Sequence, residues 1–234
     1  YTGNVTLLNG QRLLGSGSSL ITPQGAVLPV LNGAGITLAD GNTIDFIRIQ
    51  GTPGDAIFGN NVNGATISNC EIANTTNNGS GIQDDRATGN WNITNNSITG
   101  VSSIGVFLSG QTGDNLVAKV NNNNLSGNNA GAIAFTFSGT GTIRAQVAAN
   151  TMTGTTITGQ TFAVESSNSA DLCFDITGNT NDDAYAFAAL DASMIKVELL
   201  SQLLTLNSGS AILDNPSAGI ASPAIEVPDG TCGF

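Results

Sequence analysis

The chain has 234 residues, a formal net charge of −11 at pH 7 and only 10% charged residues. Six Lys and Arg against 17 Asp and Glu provide no basic surface for nucleic acid or anionic membranes, and the lack of His excludes His-based acid–base chemistry. The sequence has no run of about 18 apolar residues, which a membrane-spanning helix would require. A hydrophobic content of 40% argues against disorder.

Residues 1–40 are predicted to form an N-terminal cap with irregular first coils. Short apolar pairs such as Leu13–Leu14 and Leu20–Ile21 alternate there with Gly and Pro. A repetitive β-structure needs a cap at its first coil, because an open coil exposes unpaired strand edges.

Residues 41–190 contain an internal repeat. An apolar residue followed by a polar, Asn-rich triplet recurs at intervals of 23 to 29 residues, starting at Ile44, Ile67, Ile93, Val120, Val147 and Ile176. A second apolar element follows each start, centred on Ile57, Ile82, Val106, Ile133, Ala163 and Ala186. Because the strands are short, the turns rich in Gly and Asn and helical periodicity absent, the repeat predicts an all-β, single-domain right-handed parallel β-helix of about 6–8 coils.

One polar column of this repeat is predicted to form an asparagine ladder. The position three residues after each start is occupied by Asn96, Asn123, Asn150 and Asn179. Stacked coils lie about 4.8 Å apart, so that side-chain amides can bond from coil to coil. Cys70 precedes them in the same column and is expected to be a buried thiol, while the neighbouring column (Asn69, Asn95, Asn122) competes for the inward position.

Residues 191–234 are predicted to form a C-terminal cap and an extended tail. A short helix is predicted over Leu199–Leu206, and three Pro follow it. Cys232 lies near the end of this tail and Cys173 at the start of the last full coil, and we predict a disulfide between them, with pairing of Cys232 to a partner chain as the alternative.

The segment Ile93–Ile98 followed by Gly105–Leu108 resembles the repeat of pectate-lyase-like parallel β-helix proteins. That superfamily includes polysaccharide lyases and hydrolases as well as bacterial surface adhesins and autotransporter passengers. The resemblance covers residues 40–190 and implies the fold, whereas one such scaffold hosts many activities.

The strongest catalytic candidates are Asp84, Asp85 and Arg86, directly after the apolar element at Ile82. Paired carboxyl groups act as acid and base or nucleophile in glycoside hydrolysis. An adjacent Asp pair also resembles one motif of the polygalacturonase branch, but the other motifs of that branch, including its Gly-His-Gly, are missing here. The interpretation we favour is a solvated turn with local Asp–Arg pairing.

Two further features allow weaker hypotheses about ligands. Asp182 and Asp183 form an acidic turn that is a weak candidate for Ca²⁺, although no cofactor is otherwise implied. Trp91 and Phe107 are candidate platforms for stacking a sugar, although isolated aromatic residues usually pack in the core.

Together these features predict a secreted or cell-surface protein, bacterial in character, with a structural or adhesive role. Its expected partners are further copies of itself, joined end to end or laterally, or extracellular glycans, and neither nucleic acid nor a membrane-spanning segment is expected. The alternative is a polysaccharide-active enzyme or carbohydrate-binding protein that uses a groove near Asp84, Asp85 and Arg86.

Overall fold

The computed structural model describes residues 3–15, 28–155, 161–189, 193–209, 212–216 and 224–234. Within them, the chain winds into a parallel β-solenoid of about seven turns with very little helix. The all-β parallel β-helix predicted from the repeat is therefore confirmed.

Each turn of the solenoid contributes short strands to three sheets. The first strands are β1 (Val5–Thr6), β2 (Arg12–Leu14), β3 (Val30–Asn32), β4 (Ile36–Thr37), β5 (Asn42–Asp45), β6 (Arg48–Gln50), β7 (Ile57–Asn60), β8 (Asn63–Ser68) and β9 (Glu71–Ala73). The middle strands are β10 (Ile82–Asp85), β11 (Thr88–Thr94), β12 (Ser97–Thr99), β13 (Ile104–Gly110), β14 (Asn115–Asn121), β15 (Asn124–Ser126), β16 (Gly131–Ser138), β17 (Thr142–Ala148) and β18 (Thr151–Thr153). The last strands are β19 (Phe162–Ser167), β20 (Asp171–Thr177), β21 (Thr180–Asn181), β22 (Tyr185–Ala189), β23 (Met194–Glu198), β24 (Ile212–Pro216) and β25 (Ala224–Val227).

The strands pair only with their equivalents one turn before and one turn after. The first sheet has the order β1-β4-β7-β10-β13-β16-β19-β22-β24, the second β2-β5-β8-β11-β14-β17-β20-β23-β25, and the third β3-β6-β9-β12-β15-β18-β21. All strand pairs are parallel, so equivalent residues of successive turns lie side by side in columns.

The core consists of inward-facing columns of apolar side chains. In the second sheet Ile44, Ile67, Ile93, Val120 and Val147 pair in register and are completely buried. Because successive residues of a strand face opposite sides, the residues between them form the outer faces of the solenoid.

The bends between the second and third sheets explain the two competing asparagine columns. Asn69, Asn95 and Asn122 occupy the bend itself with φ of 54°, 58° and 58°, a left-handed conformation that Asn tolerates. The residue after each bend points inward, which places Asn96 and Asn123 in the interior.

Paired strands extend beyond the predicted repeat range of 41–190 at both ends. At the N-terminal end β1–β4 already pair in the sheets, whereas Leu20 and Ile21 of the predicted cap lie outside the described residues. At the C-terminal end a 3₁₀ turn (Leu200–Gln202) and helix α1 (Leu203–Leu206) occupy the predicted helical segment, followed by β24 and β25.

Candidate functional site

The asparagine ladder is the most regular polar feature of the interior. Its members Asn96, Asn123, Asn150 and Asn179 are at most 3% exposed. Asn123 Oδ1 accepts hydrogen bonds from the backbone N and the Nδ2 of Asn96 at 2.9 and 3.0 Å, and the same arrangement repeats at each later step. Asn96 Nδ2 also donates to Ile67 O at 2.9 Å. These amides therefore satisfy buried backbone groups at the bends and serve the fold.

The ladder continues by one residue at each end. Cys70 N donates to Asn96 Oδ1 at 2.9 Å, and burial raises the pKa of its thiol to about 11, which makes it unreactive. After α1, Asn207 Oδ1 accepts from Asn179 Nδ2 at 2.8 Å, and Asn207 Nδ2 donates to Ile176 O at 2.8 Å. The separation of 28 residues between Asn179 and Asn207 fits the repeat and is the signal that could have located this last member.

The predicted disulfide is confirmed, because Cys173 and Cys232 are bonded with a Cα–Cα distance of 5.4 Å. It joins β20 to the segment that follows β25. Arg144 Nη1 donates to Cys232 O at 3.4 Å, and Lys119 Nζ lies 5.7 Å from the ring centroid of Phe234. These three contacts hold the C-terminal segment against the outer face of the second sheet.

Asp84 lies on the inward side of β10, with its carboxyl group inside the solenoid. It is completely buried and pairs in register with Gly59 of β7 and Leu108 of β13. A Cβ atom on Gly59 would lie 2.0 Å from Asp84 Oδ2, so only glycine leaves room for the carboxyl group. Counting the described residues alone, neither oxygen of this carboxyl group has a hydrogen-bond partner.

Burial raises the pKa of Asp84 to about 8, because the ionised carboxylate would lose its hydration inside the solenoid. Polar backbone groups of Val62 and Asn61 near the carboxyl group, although outside hydrogen-bonding geometry, lower this pKa in part, and the negative charge of Asp85 raises it further. At neutral pH the buried carboxyl group is therefore mostly protonated.

Asp85 and Arg86 point away from Asp84. Asp85 lies on the outer face of β10, where its Oδ1 accepts a hydrogen bond from Gln83 Nε2 at 3.1 Å. Arg86 follows in the bend with φ of 79°, and its Nη2 and Nε lie 3.3 and 3.4 Å from the carboxylate oxygens of Asp114 on the next turn. The predicted Asp–Arg pairing thus involves Asp114 rather than an adjacent Asp, and the two adjacent carboxyl groups do not flank a common bond as a hydrolase requires.

Asp182 and Asp183 lie in the turn after β21. Asp182 Oδ2 accepts a hydrogen bond from Gly154 N at 2.6 Å, and Asp183 N donates to Asn181 Oδ1 at 3.1 Å. Within the described ranges, no group of three or more His, Cys, Asp or Glu residues could hold a metal ion. The contacts of Asp182 instead link adjacent turns of the solenoid.

The two candidate aromatic residues have different environments. Trp91 is 1% exposed, and its indole Nε1 donates to Thr88 O at 3.0 Å, so it is a core residue. Phe107 lies on the outer face of β13 and is partly exposed. Phe58 of β7 occupies the same outward column and was not predicted, although its place directly after Ile57 in the repeat indicates an outward side chain.

Comparison with protein-family models, with curated proteins and with solved structures gave no match. In the part of the chain that the structure describes, no helix is long and apolar enough to cross a membrane.

Proposed function

We propose that this protein is a secreted or cell-surface β-helix with a structural or adhesive role and no catalytic activity. The observation that carries the proposal is the unbroken ladder from Cys70 to Asn207, which joins successive turns through buried hydrogen bonds. Seven turns at about 4.8 Å form a rod of roughly 30–40 Å with continuous outer faces. Such a rod is suited to act as a spacer, to present a binding face or to stack with further copies.

The disulfide supports a location outside the cytoplasm, because such bonds persist in oxidising compartments. The alternative, a polysaccharide-active enzyme, would require Asp84 and Asp85 to face the same glycosidic bond. They lie on opposite sides of β10, and the buried member is not accessible to a polymer.

The adhesive role is tested by displaying the chain on a non-adherent bacterium and counting the cells retained under flow on coated glass. Retention above that of cells carrying the anchor alone is expected. Equal retention would contradict the adhesive role, and ordered filaments in electron micrographs of the purified protein would establish self-assembly.

The absence of catalysis is tested by incubating the protein with polyuronates and neutral glycans, with and without Ca²⁺. No turnover above buffer is expected. Reproducible turnover that Asp85→Asn abolishes would overturn the proposal in favour of an enzyme.

A further inference from the structure

We propose that Asp84 controls a proton-dependent latch in the middle of the solenoid. While its carboxyl group carries a proton, the bend between the first and second sheets stays closed, and when the group ionises the bend opens locally and admits water. We call Asp84 together with residues 60–62, which follow β7, and residues 85–87, which lead from β10 to β11, the Asp84 latch. The inference adds a regulatory device to the rod and does not depend on an adhesive role.

The register of two short strands places the buried carboxyl group beside the bend. β7 and β10 have four residues each, whereas β13 and β16 on the following turns have seven and eight. Asp84 pairs with Gly59 of β7, where any Cβ atom would collide with Asp84 Oδ2, and Val62 Cγ2 borders the same notch. The carboxyl group therefore lies next to residues 60–62, in the part of the first sheet with short strand pairing.

Among the described residues, nothing inside the solenoid compensates a negative charge on Asp84. Neither of its carboxyl oxygens has a hydrogen-bond partner there. The charged groups that act on its proton affinity are Asp85 on the same strand and Asp114 after β13, and both are acidic. Arg86, two residues further along, is paired with Asp114 instead. An ionised Asp84 is therefore stabilised only by contact with water, which requires the bend to open.

The bend is held closed by single hydrogen bonds to neighbouring turns. Asn61 N donates to Asp85 O at 2.7 Å, and Ala87 N donates to Ser109 O at 2.7 Å. Asn61 and Arg86 have φ of 61° and 79°, a left-handed conformation that is costly for Arg. Segments of this kind open at a lower free energy than the whole fold. The latch can therefore open while the longer strands of later turns remain paired.

The proton affinity of Asp84 gives the direction in which the latch responds to pH. Burial is the main cause that raises the pKa of its carboxyl group from 3.8 to about 8 in the closed solenoid. The closed form therefore binds the proton more tightly than the open form, and opening becomes easier as the pH rises. The ratio of open to closed molecules should rise about tenfold per pH unit between about pH 4 and 8 and then level off.

Cleavage of the native chain by trypsin tests the latch, because Arg86, one of six Lys and Arg in the chain, lies in the bend. Ala87, on the other side of the scissile bond, is completely buried, so the protease can cut only open molecules. At low protease concentration the cleavage rate follows the population of the open form. The bond between Arg144 and Ala145 in β17 is the matched control, since Ala145 is equally buried in a strand paired over seven residues on both sides.

Initial cleavage rates are measured between pH 6 and 9 in the full oxidised chain and in Asp84→Asn, and their ratio removes the pH dependence of trypsin itself. For the bond after Arg86 this ratio should rise about tenfold per pH unit up to about pH 8 and then level off, and division by the rates of Asp84→Ala should give the same slope. Asp85→Asn should keep most of the rise, because burial outweighs the charge of Asp85.

The bond after Arg86 should also be cut faster than the bond after Arg144 at every pH, each rate being taken relative to the same bond in the urea-unfolded chain. Equal relative rates would overturn the latch, because the chain would then open as a whole. A ratio of unaltered chain to Asp84→Asn that stays constant with pH would overturn it as well, since opening would not be coupled to the proton on Asp84.

Discussion

Replacing Asp84 by Asn should stabilise the fold at neutral and alkaline pH while changing it little in acid. The pKa of this carboxyl group rises from an ordinary 3.8 to about 8 on folding, because it is buried in the notch left by Gly59. The folded state therefore binds the proton more tightly than the unfolded state, and stability falls as the pH rises from about 4 to 8. A shift of about four pH units corresponds to roughly 5 kcal/mol.

The assay is urea unfolding of the oxidised protein, followed by circular dichroism at several pH values between 4 and 9. The difference in unfolding free energy between Asp84→Asn and the unaltered chain should grow by about 1.4 kcal/mol per pH unit within the window. Asp85→Asn is the matched control, because that side chain is on the outer face and its charge adds less to the pKa shift of Asp84 than burial does. It should reduce the pH dependence far less than Asp84→Asn. A difference for Asp84→Asn that is constant with pH would refute the assignment of a buried, protonated carboxyl group.

Further predictions concern the ladder, the disulfide and the free thiol. Asn150→Ala should destabilise the fold by about 2–4 kcal/mol in urea titrations, since the buried backbone N–H of Asn123 and one N–H of its Nδ2 lose their acceptor, while Nδ2 still donates to Ile93 O. A change at the exposed Asn124 should have little effect. Cys232→Ser should lower the free energy of unfolding by about 4 kcal/mol, because the bridge closes a loop of about 60 residues, and reductant should then have no further effect. Cys70 should resist alkylation at pH 8 until urea unfolds the chain, so rapid labelling of the native protein would contradict its burial.

The solenoid could be predicted because its signal repeats. Each turn independently shows the alternation of apolar and polar residues that a half-buried strand requires, and six imperfect copies reinforce one another. The inward direction of the Asn column could not be settled from the sequence, because its shorter neighbour also carries Asn on three successive turns. The backbone conformation distinguishes the two columns. Asn69, Asn95 and Asn122 have the left-handed conformation of the bend, and the residue after each of them points inward.

The environment of Asp84 could not be predicted from its own neighbours in the sequence. An Asp-Asp-Arg triplet is typical of a solvated turn, and its first residue becomes buried only because β10 begins at Ile82. Arg86 illustrates the same difficulty, because its partner Asp114 lies one turn further along the chain. Such contacts depend on the length of the intervening turn, which varies between copies of the repeat.

The register of β7, β10 and β13 buries the polar Asp84 and leaves the apolar Phe58 and Phe107 partly exposed, the opposite of what these residue types usually prefer. A slip of one residue would turn Asp84 outward and Phe58 and Phe107 inward, but it would also expose the buried Ile57 and Ile82. The isoleucine column therefore fixes a register in which the carboxyl group is buried and the aromatic rings meet solvent. Both departures therefore follow from the packing of one apolar column, which outweighs the preference of a carboxyl group for solvent and of two aromatic rings for the interior.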